Sequence, residues 1–147
     1  MTDLVPAHLA DMVDRPFPGG HYTIEPYRAW LMADTVADTL QPSVVHPVHA
    51  WLGATEGMGI TWDELFAWFD ASADDGPMIG EHVTQLHQPL KVDETYQVSG
   101  HVVSVQRKRG KTLGVFDIVT YQLDLHDEAN DPVATCRNSI VFPRKSA

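Results

Sequence analysis

The chain has 147 residues and a formal net charge of −10 at pH 7, with 44% hydrophobic and 20% charged residues, which fits one globular domain with a single core. So acidic a chain repels a nucleic-acid backbone, and it has no apolar run near the roughly 20 residues of a membrane-spanning helix. Its start, MTDLVPAHLADMVDR, lacks the basic and apolar segments of a signal peptide, so we expect a cytoplasmic protein that binds neither nucleic acid nor membrane.

The first part of the chain predicts a lead-in, a strand and a helix. Residues 1–20 contain RPFPGG and are expected to be irregular, so we place a single domain over residues 21–147. HYTIEP is typical of a short strand. Apolar residues at helical spacing after Pro26, a residue favoured at the first position of a helix, predict a helix over about residues 26–39.

A second helix is predicted by GITWDELFAWFDAS. Thr61 and Glu64 make a capping box at its start, because each side chain can satisfy one free backbone N–H. The bulky apolar residues follow the spacing i, i+3, i+4, i+7 and form one stripe, made of Trp62, Leu65, Phe66 and Phe69. We expect this stripe to insert into a sheet.

After DDGP the hydrophobic period changes to two, which predicts strands. EHVTQLHQPL is a strand that Pro89 ends or confines to a sheet edge. TYQVSGHVVSVQRK and TLGVFDIVTYQLDL flank Arg109 and Gly110 as a long hairpin, and VATCRNSIVF, with Cys136 at a buried position, is the last strand. This order predicts an α+β architecture in which an antiparallel sheet wraps around a helix.

Four short motifs in the second half, in this order, resemble the N-terminal, non-catalytic type of MaoC-like dehydratase domain. They lie at His87–Leu90, Val92–Glu94, Lys108–Thr120 and Val133–Arg144, and the resemblance covers about residues 22–144. It implies the hot-dog fold, an antiparallel sheet around a central helix. It also implies action on acyl thioesters of coenzyme A or acyl carrier protein, with water added to or removed from a trans-2-enoyl chain to give the (R)-3-hydroxy product, by dimers or two fused hot-dog units.

The stretch PSVVHPVH holds the candidate catalytic histidines. Catalytic relatives carry D-x-N-P-(I/L/V)-H, whose carboxylate and imidazole act together as base and acid. His46 to His49 fit N-P-V-H, with His46 in place of the asparagine and His49 as the imidazole. Val44 stands at the aspartate position, and valine can neither orient water nor accept a proton. The alternative is that both histidines are structural and bond to backbone or water.

A second register fits the same stretch. The resemblance to non-catalytic subunits aligns Val45, Pro47 and Trp51 with the "v.aP..f" element that begins the central helix in those proteins. On that register the active-site loop is lost, the first helix runs almost directly into the central one, and residues 61–70 form a second helical piece. Both registers lack the aspartate, and both remain open.

Two groups of residues are predicted to bind substrate. Backbone N–H groups at the start of the central helix can polarise a thioester carbonyl. The residues concerned are His49 and Trp51 for one choice of helix, or Gly59, Ile60 and Thr61 for the other. In addition, four of the ten Lys and Arg residues cluster at the predicted hairpin and would attract an acidic acyl carrier: Arg107, Lys108, Arg109 and Lys111.

Asp63 and Glu64 offer a different chemistry. Hot-dog thioesterases carry a carboxylate on the central helix that attacks the thioester or activates water. Asp63 or Glu64 would play that part in a homodimer, although the capping box and the helix dipole already explain acidic residues in a first turn.

The sequence predicts neither a metal nor a cofactor. His46, His49, His82 and His87 match no metal-ligand pattern, and Pro47 interrupts the helical face that would align the first two.

Three functions therefore stay open. The first is a MaoC-like subunit that binds acyl thioesters as the accessory partner of an (R)-specific enoyl-thioester hydratase or dehydratase. Its own partner would be a second hot-dog subunit, identical or different. The second is the thioesterase homodimer, and the third is an acyl-thioester-binding module without catalysis.

Overall fold

A computed structural model describes residues 4–39 and 45–145 of the chain. The helices are α1 (Ala7–Ala10), α2 (Pro26–Thr35), α3 (Val48–Glu56) and α4 (Trp62–Trp68). The strands are β1 (Gly20–Thr23), β2 (Met78–Leu86), β3 (Thr95–Gly110), β4 (Gly114–His126) and β5 (Pro132–Pro143). None of these helices is long and apolar enough to cross a membrane.

The five strands form one sheet in the order β1-β3-β4-β5-β2, and every neighbouring pair is antiparallel. The predicted α+β architecture is therefore confirmed. β2 lies at one edge of the sheet, in keeping with the prediction that Pro89 ends this strand or confines it to an edge. The β3–β4 turn spans residues 111–113 rather than Arg109 and Gly110, and it closes at Gly114, whose φ of 69° favours glycine.

α3 is the central helix, because it contacts all five strands. Besides His49, its buried residues are small, namely Ala50, Gly53 and Ala54, and they let the helix backbone approach the sheet closely. At Gly53 an added Cβ would lie 2.4 Å from Cδ1 of Tyr22. The register in which the central helix begins after Pro47 is thus the one the structure adopts.

α4 is not the central helix, so the expectation that its aromatic stripe inserts into the sheet was wrong. The predicted capping box is present, and the stripe does face inward, with Leu65 and Phe69 fully buried. However, Phe69 stacks on Phe142 near the end of β5, with ring centroids 5.8 Å apart. The seven-residue α4 therefore extends the core beside α3.

The start of the chain is more ordered than predicted. α1 precedes a β-bridge between Pro16 and His101, and Leu9 and Phe17 are buried in the core. The segment before residue 21 thus packs on the domain. α2 begins at Pro26 as expected but ends at Thr35, before Ala37, which has a φ of 54°.

Candidate functional site

The two candidate histidines line two different cavities around α3. His46 is half-buried in a cleft of about 400 Å³ between the start of α3 and β2. His49 is buried and lines a cavity of about 480 Å³ between α2 and α3. Trp51 borders both spaces. Val44, the residue at the aspartate position, lies outside the described residues.

In the cleft beside β2, the imidazoles of His46 and His82 both have hydrogen-bond partners. His46 Nδ1 accepts the backbone N–H of Val48 at 3.1 Å and so caps α3. His82 Nδ1 lies 2.6 Å from Oδ1 of Asn138, and its Nε2 lies 2.6 Å from Oγ1 of Thr84. Sequence reasoning missed His82 and Thr84 as parts of this site, although their i, i+2 spacing on a strand places both side chains on one face.

In the cavity between α2 and α3, His49 Nδ1 lies 3.3 Å from the hydroxyl of Tyr22, while its Nε2 has no hydrogen-bond partner within residues 4–39 and 45–145. Burial lowers the pKa of His49, and the positive charge of Arg28 lowers it further. The ring is therefore neutral near pH 7. Arg28 donates two hydrogen bonds to Glu56, at 2.8 and 2.9 Å.

Tyr22, Arg28 and Glu56 were not predicted as site residues. They come from β1, α2 and α3, and only the fold brings them together around His49. No spacing within the sequence signals this group.

The helix-start N–H groups proposed for a thioester carbonyl are largely engaged. The N–H groups of Val48, His49 and Ala50 bond within the first turn of α3 or its cap. At α4, the Thr61 N–H donates to the Glu64 carboxylate at 2.7 Å. Gly59, with a φ of 86°, packs against Gly19, where an added Cβ would lie 2.5 Å from the glycine oxygen. Of this set, His49 borders the cavity between α2 and α3, Trp51 borders both spaces, and Gly59, Ile60 and Thr61 line neither.

Asp63 and Glu64 lie exposed on α4. The thioesterase hypothesis required a carboxylate on the central helix, and that helix is α3. Because both residues lie in the first turn of α4, the expectation that Asp63 or Glu64 stands on the central helix was wrong.

The four residues of the predicted basic cluster, Arg107, Lys108, Arg109 and Lys111, lie in different environments. Arg107 donates from Nε and Nη2 to the buried Asp117 carboxylate at 2.7 and 2.9 Å, which corrects the expectation of a carrier-binding surface residue. Lys108 and Arg109 are exposed near the end of β3, and Lys111 lies in the turn that follows. None of the four lines either cavity. Within residues 4–39 and 45–145, no group of three or more His, Cys, Asp or Glu side chains is arranged to hold a metal ion.

No protein-family model and no curated protein matches the sequence. Solved structures do match the fold. The ChsH1–ChsH2 complex from Mycobacterium tuberculosis aligns with a TM-score of 0.73 at 13% identity, over 95% of this chain and 92% of that chain. The HadBC complex, a (3R)-hydroxyacyl-ACP dehydratase from the same organism, aligns with a TM-score of 0.68 at 12% identity, over 89% and 97%.

A MaoC-like dehydratase from Rhodospirillum rubrum aligns with a TM-score of 0.51 at 14% identity, over 92% of this chain and 94% of that chain. At these low identities the alignments show that the fold is shared. The chain thus has the hot-dog fold, and its structural neighbours include MaoC-like dehydratases, as the sequence resemblance predicted.

Proposed function

We propose that this chain is the accessory subunit of an (R)-specific enoyl-thioester hydratase or dehydratase of the MaoC-like type. It pairs through β2 with a second hot-dog subunit, and that subunit supplies the acid/base pair. The observation that carries the proposal is the exposed apolar edge of β2 beside the cleft at the start of α3.

β2 has the properties of a strand that is covered in an assembly. It is an edge strand of nine residues with no Lys or Pro, the residues that commonly protect an exposed edge. Four large apolar side chains on it are exposed: Met78, Ile79, Val83 and Leu86. An uncovered apolar edge favours pairing with another chain. Because Ile79 also lines the cleft at the start of α3, a subunit seated on β2 would close that cleft.

The catalytic equipment of this chain is incomplete. Hydration of an enoyl thioester needs one group to take a proton from water and another to protonate the α-carbon. Val44 cannot do either, and the partner of His49 among the described residues is the Tyr22 hydroxyl rather than a carboxylate. This favours an accessory role over independent catalysis.

Two structural neighbours support pairing with a different subunit. ChsH1–ChsH2 and HadBC are complexes, and HadBC is a (3R)-hydroxyacyl-ACP dehydratase. The likeness of this chain to HadBC supports an acyl thioester as the substrate of the assembled enzyme.

The pairing surface is tested by Val83→Lys. Val83 is 51% exposed in the middle of β2, and a lysine there would place a charge within the buried contact. We expect the wild-type chain, purified alone, to cover its edge with a second copy and to have the mass of two 16.3 kDa chains in light scattering. Val83→Lys should lower the mass to that of one chain without changing the circular dichroism spectrum.

The matched control is Val36→Lys, at a residue 41% exposed just after α2 and away from β2. It should keep the wild-type mass. A monomeric wild-type chain, or equal masses for both lysine variants, would contradict pairing through β2.

A further inference from the structure

His82, Thr84 and Asn138 are joined by hydrogen bonds across two neighbouring strands. His82 lies directly opposite Asn138 in the pairing of β2 with β5, and Thr84 follows two residues later on the same face of β2. His82 Nδ1 lies 2.6 Å from Oδ1 of Asn138, and His82 Nε2 lies 2.6 Å from Oγ1 of Thr84. Both His82 and Thr84 line the cleft of about 400 Å³ at the start of α3, so a small molecule in that cleft can contact them.

The direction of these hydrogen bonds makes His82 a base toward Thr84. The amide oxygen of Asn138 can only accept, so the hydrogen in its contact with His82 belongs to Nδ1. In a neutral imidazole Nε2 is then an acceptor, and it receives the hydroxyl hydrogen of Thr84. A hydroxyl, a base that takes its proton and a third group that orients the base form the arrangement that activates nucleophiles on unrelated folds.

Cys136 is the other nucleophilic side chain nearby, with its Sγ 3.7 Å from Oγ1 of Thr84. It is fully buried, and burial raises the pKa of its thiol. A protonated and inaccessible thiol is inert. Thr84, which lines the cleft and bonds to His82, is therefore the group that can attack a bound molecule.

His46 supplies a hydrogen-bond donor to the lining of the same cleft. Because its Nδ1 accepts the N–H of Val48, the ring hydrogen is on Nε2. An N–H beside a reacting carbonyl stabilises the negative charge that develops on the carbonyl oxygen. The apolar side chains of Val48, Trp51 and Ile79 complete much of the wall and suit a short acyl chain.

We propose that Thr84 is the nucleophile of an acyl-transfer site that hydrolyses short acyl esters and thioesters, with His82 as its base and Asn138 as the residue that positions the base. Thr84 Oγ1 bonds to the acyl carbon and its proton passes to His82 Nε2. The bond from the acyl carbon to the leaving oxygen or sulfur breaks, and His82 gives the proton to that atom.

Water completes the reaction. It gives a proton to His82 as its oxygen bonds to the acyl carbon, the bond from that carbon to Thr84 Oγ1 breaks, and the proton returns to Thr84 while the carboxylic acid leaves. All of these residues belong to one chain. The activity therefore rests neither on the proposed pairing nor on hydration.

The test uses p-nitrophenyl butyrate and follows the release of p-nitrophenolate. We expect hydrolysis and, after acid quenching and peptide mapping by mass spectrometry, one butyryl group on Thr84. Val83→Lys is assayed beside the wild-type chain, because an uncovered β2 edge leaves the cleft open to solvent. Butyryl-CoA is the thioester probe, since release of its thiol reports hydrolysis and its saturated chain cannot be hydrated.

Variants separate the roles of the hydroxyl and the base. Thr84→Val keeps the shape of the side chain without the hydroxyl and should abolish both the label and the hydrolysis, whereas Thr84→Ser should keep them. His82→Gln should slow acylation by about 100-fold or more, as expected for loss of a general base. The matched control is His87→Gln, which should keep the wild-type rate. His87 Nε2 also lies near a threonine, 3.2 Å from Thr135 Oγ1, but neither residue lines a cavity described above.

The positioning role of Asn138 is read from the tautomer of His82. In ¹⁵N NMR spectra of the wild-type chain, Nδ1 of His82 should carry the hydrogen and Nε2 should not. Asn138→Asp, whose carboxylate still accepts that hydrogen, should keep the tautomer and the acylation. Asn138→Leu cannot accept it and should lose both.

Four results would overturn the inference: no hydrolysis above that of buffer in either the wild-type chain or Val83→Lys, a label on a residue other than Thr84, a Thr84→Val variant as active as the wild type, or equal losses in His82→Gln and His87→Gln. Any of these, found together with a Val83-dependent dimer, would remove the acyl-transfer site and leave the proposed function standing. Acylation of Thr84 in a chain that stays monomeric would do the reverse.

Discussion

Asp117 is a fully buried carboxylate that connects the sheet to α4. It accepts hydrogen bonds from Arg107 and from Arg144 Nε, at 2.7 to 2.9 Å. Arg144 also donates to the backbone oxygens of Phe69 and Asp70, just after α4. Burial acts to raise the pKa of Asp117, but the two guanidinium groups outweigh it and hold the pKa below its ordinary value of 3.8.

Asp117→Asn is expected to be strongly destabilising. It leaves two largely buried arginines without their counter-charge, and breaking a buried ion pair costs about 3 kcal/mol or more. Urea denaturation at pH 7 measures the loss. Because the pKa of Asp117 is lowered in the folded chain, its contribution is present above 3.8 and is lost as the pH falls below that value. The difference between wild type and variant should therefore shrink in acid.

The same chemical change at the exposed Asp63 is the control. Asp63→Asn removes only a favourable interaction with the dipole of α4 and should cost less than about 1 kcal/mol. If both variants lose equal stability, the ion-pair account of Asp117 is refuted.

A second effect of pH on folding stability is expected from His49, at a higher pH than the effect of Asp117. The lowered pKa means that the unfolded chain takes up a proton below 6.5 while the folded ring resists it. Stability should consequently fall as the pH drops below 6.5, with a slope of up to about 1.4 kcal/mol per pH unit from this group. His49→Gln removes the titration and should flatten the slope between pH 7.5 and 5 in urea titrations. Equal slopes would show that His49 titrates alike in both states.

At the scale of elements, the sequence misleads about which helix is central. Large apolar residues at helical spacing identify α4 as a helix and mark its buried side, and this much was correct. A helix that packs closely at the centre of a curved sheet, however, needs small side chains on the side that faces the sheet. Ala50, Gly53 and Ala54 give α3 that face and produce a weak hydrophobic pattern. The stronger hydrophobic pattern of α4 therefore indicated the wrong helix as central. The register that begins the central helix after Pro47 indicated the right one, α3.

Gly53→Ala tests this packing. The added Cβ would lie 2.4 Å from the Tyr22 ring, so either the ring or α3 must move. We expect a net loss of about 1 to 2 kcal/mol, because the strain of overpacking exceeds the gain in helix propensity. Tm from thermal unfolding measures it.

The control is Gly80→Ala in β2, where the nearest atom, in the Val141 side chain, would lie 3.2 Å from the new Cβ. Its Tm should change less. A Gly53→Ala variant at least as stable as the wild type would mean that α3 does not lie tightly on Tyr22.

At the scale of the whole molecule, the architecture could be predicted and the cavities could not. The long period-two strands and their short turns determine an antiparallel sheet, and the order of short motifs in the second half indicates the hot-dog fold. In contrast, the group around His49 joins residues 22, 28, 49 and 56 from three elements. Their proximity depends on how α2 folds back over α3, which no local pattern encodes.

The exposed edge of β2 and the missing aspartate together support the proposal that this chain is the accessory subunit of an enzyme. Neither is informative alone, since exposed apolar residues occur on many proteins and a missing motif residue can be replaced by another group. Combined, they predict that activity appears only when a second hot-dog subunit with an intact D-x-N-P-(I/L/V)-H sequence is present.

The most direct test is hydration of crotonyl-CoA, followed as loss of enoyl absorbance. It compares this chain alone, a hot-dog subunit that carries an intact D-x-N-P-(I/L/V)-H sequence, and a mixture of the two. We expect no hydration by this chain alone, and more by the mixture than by the other subunit, an increase that Val83→Lys abolishes. Hydration by this chain alone, or a mixture no more active than the motif-bearing subunit, would contradict the proposal.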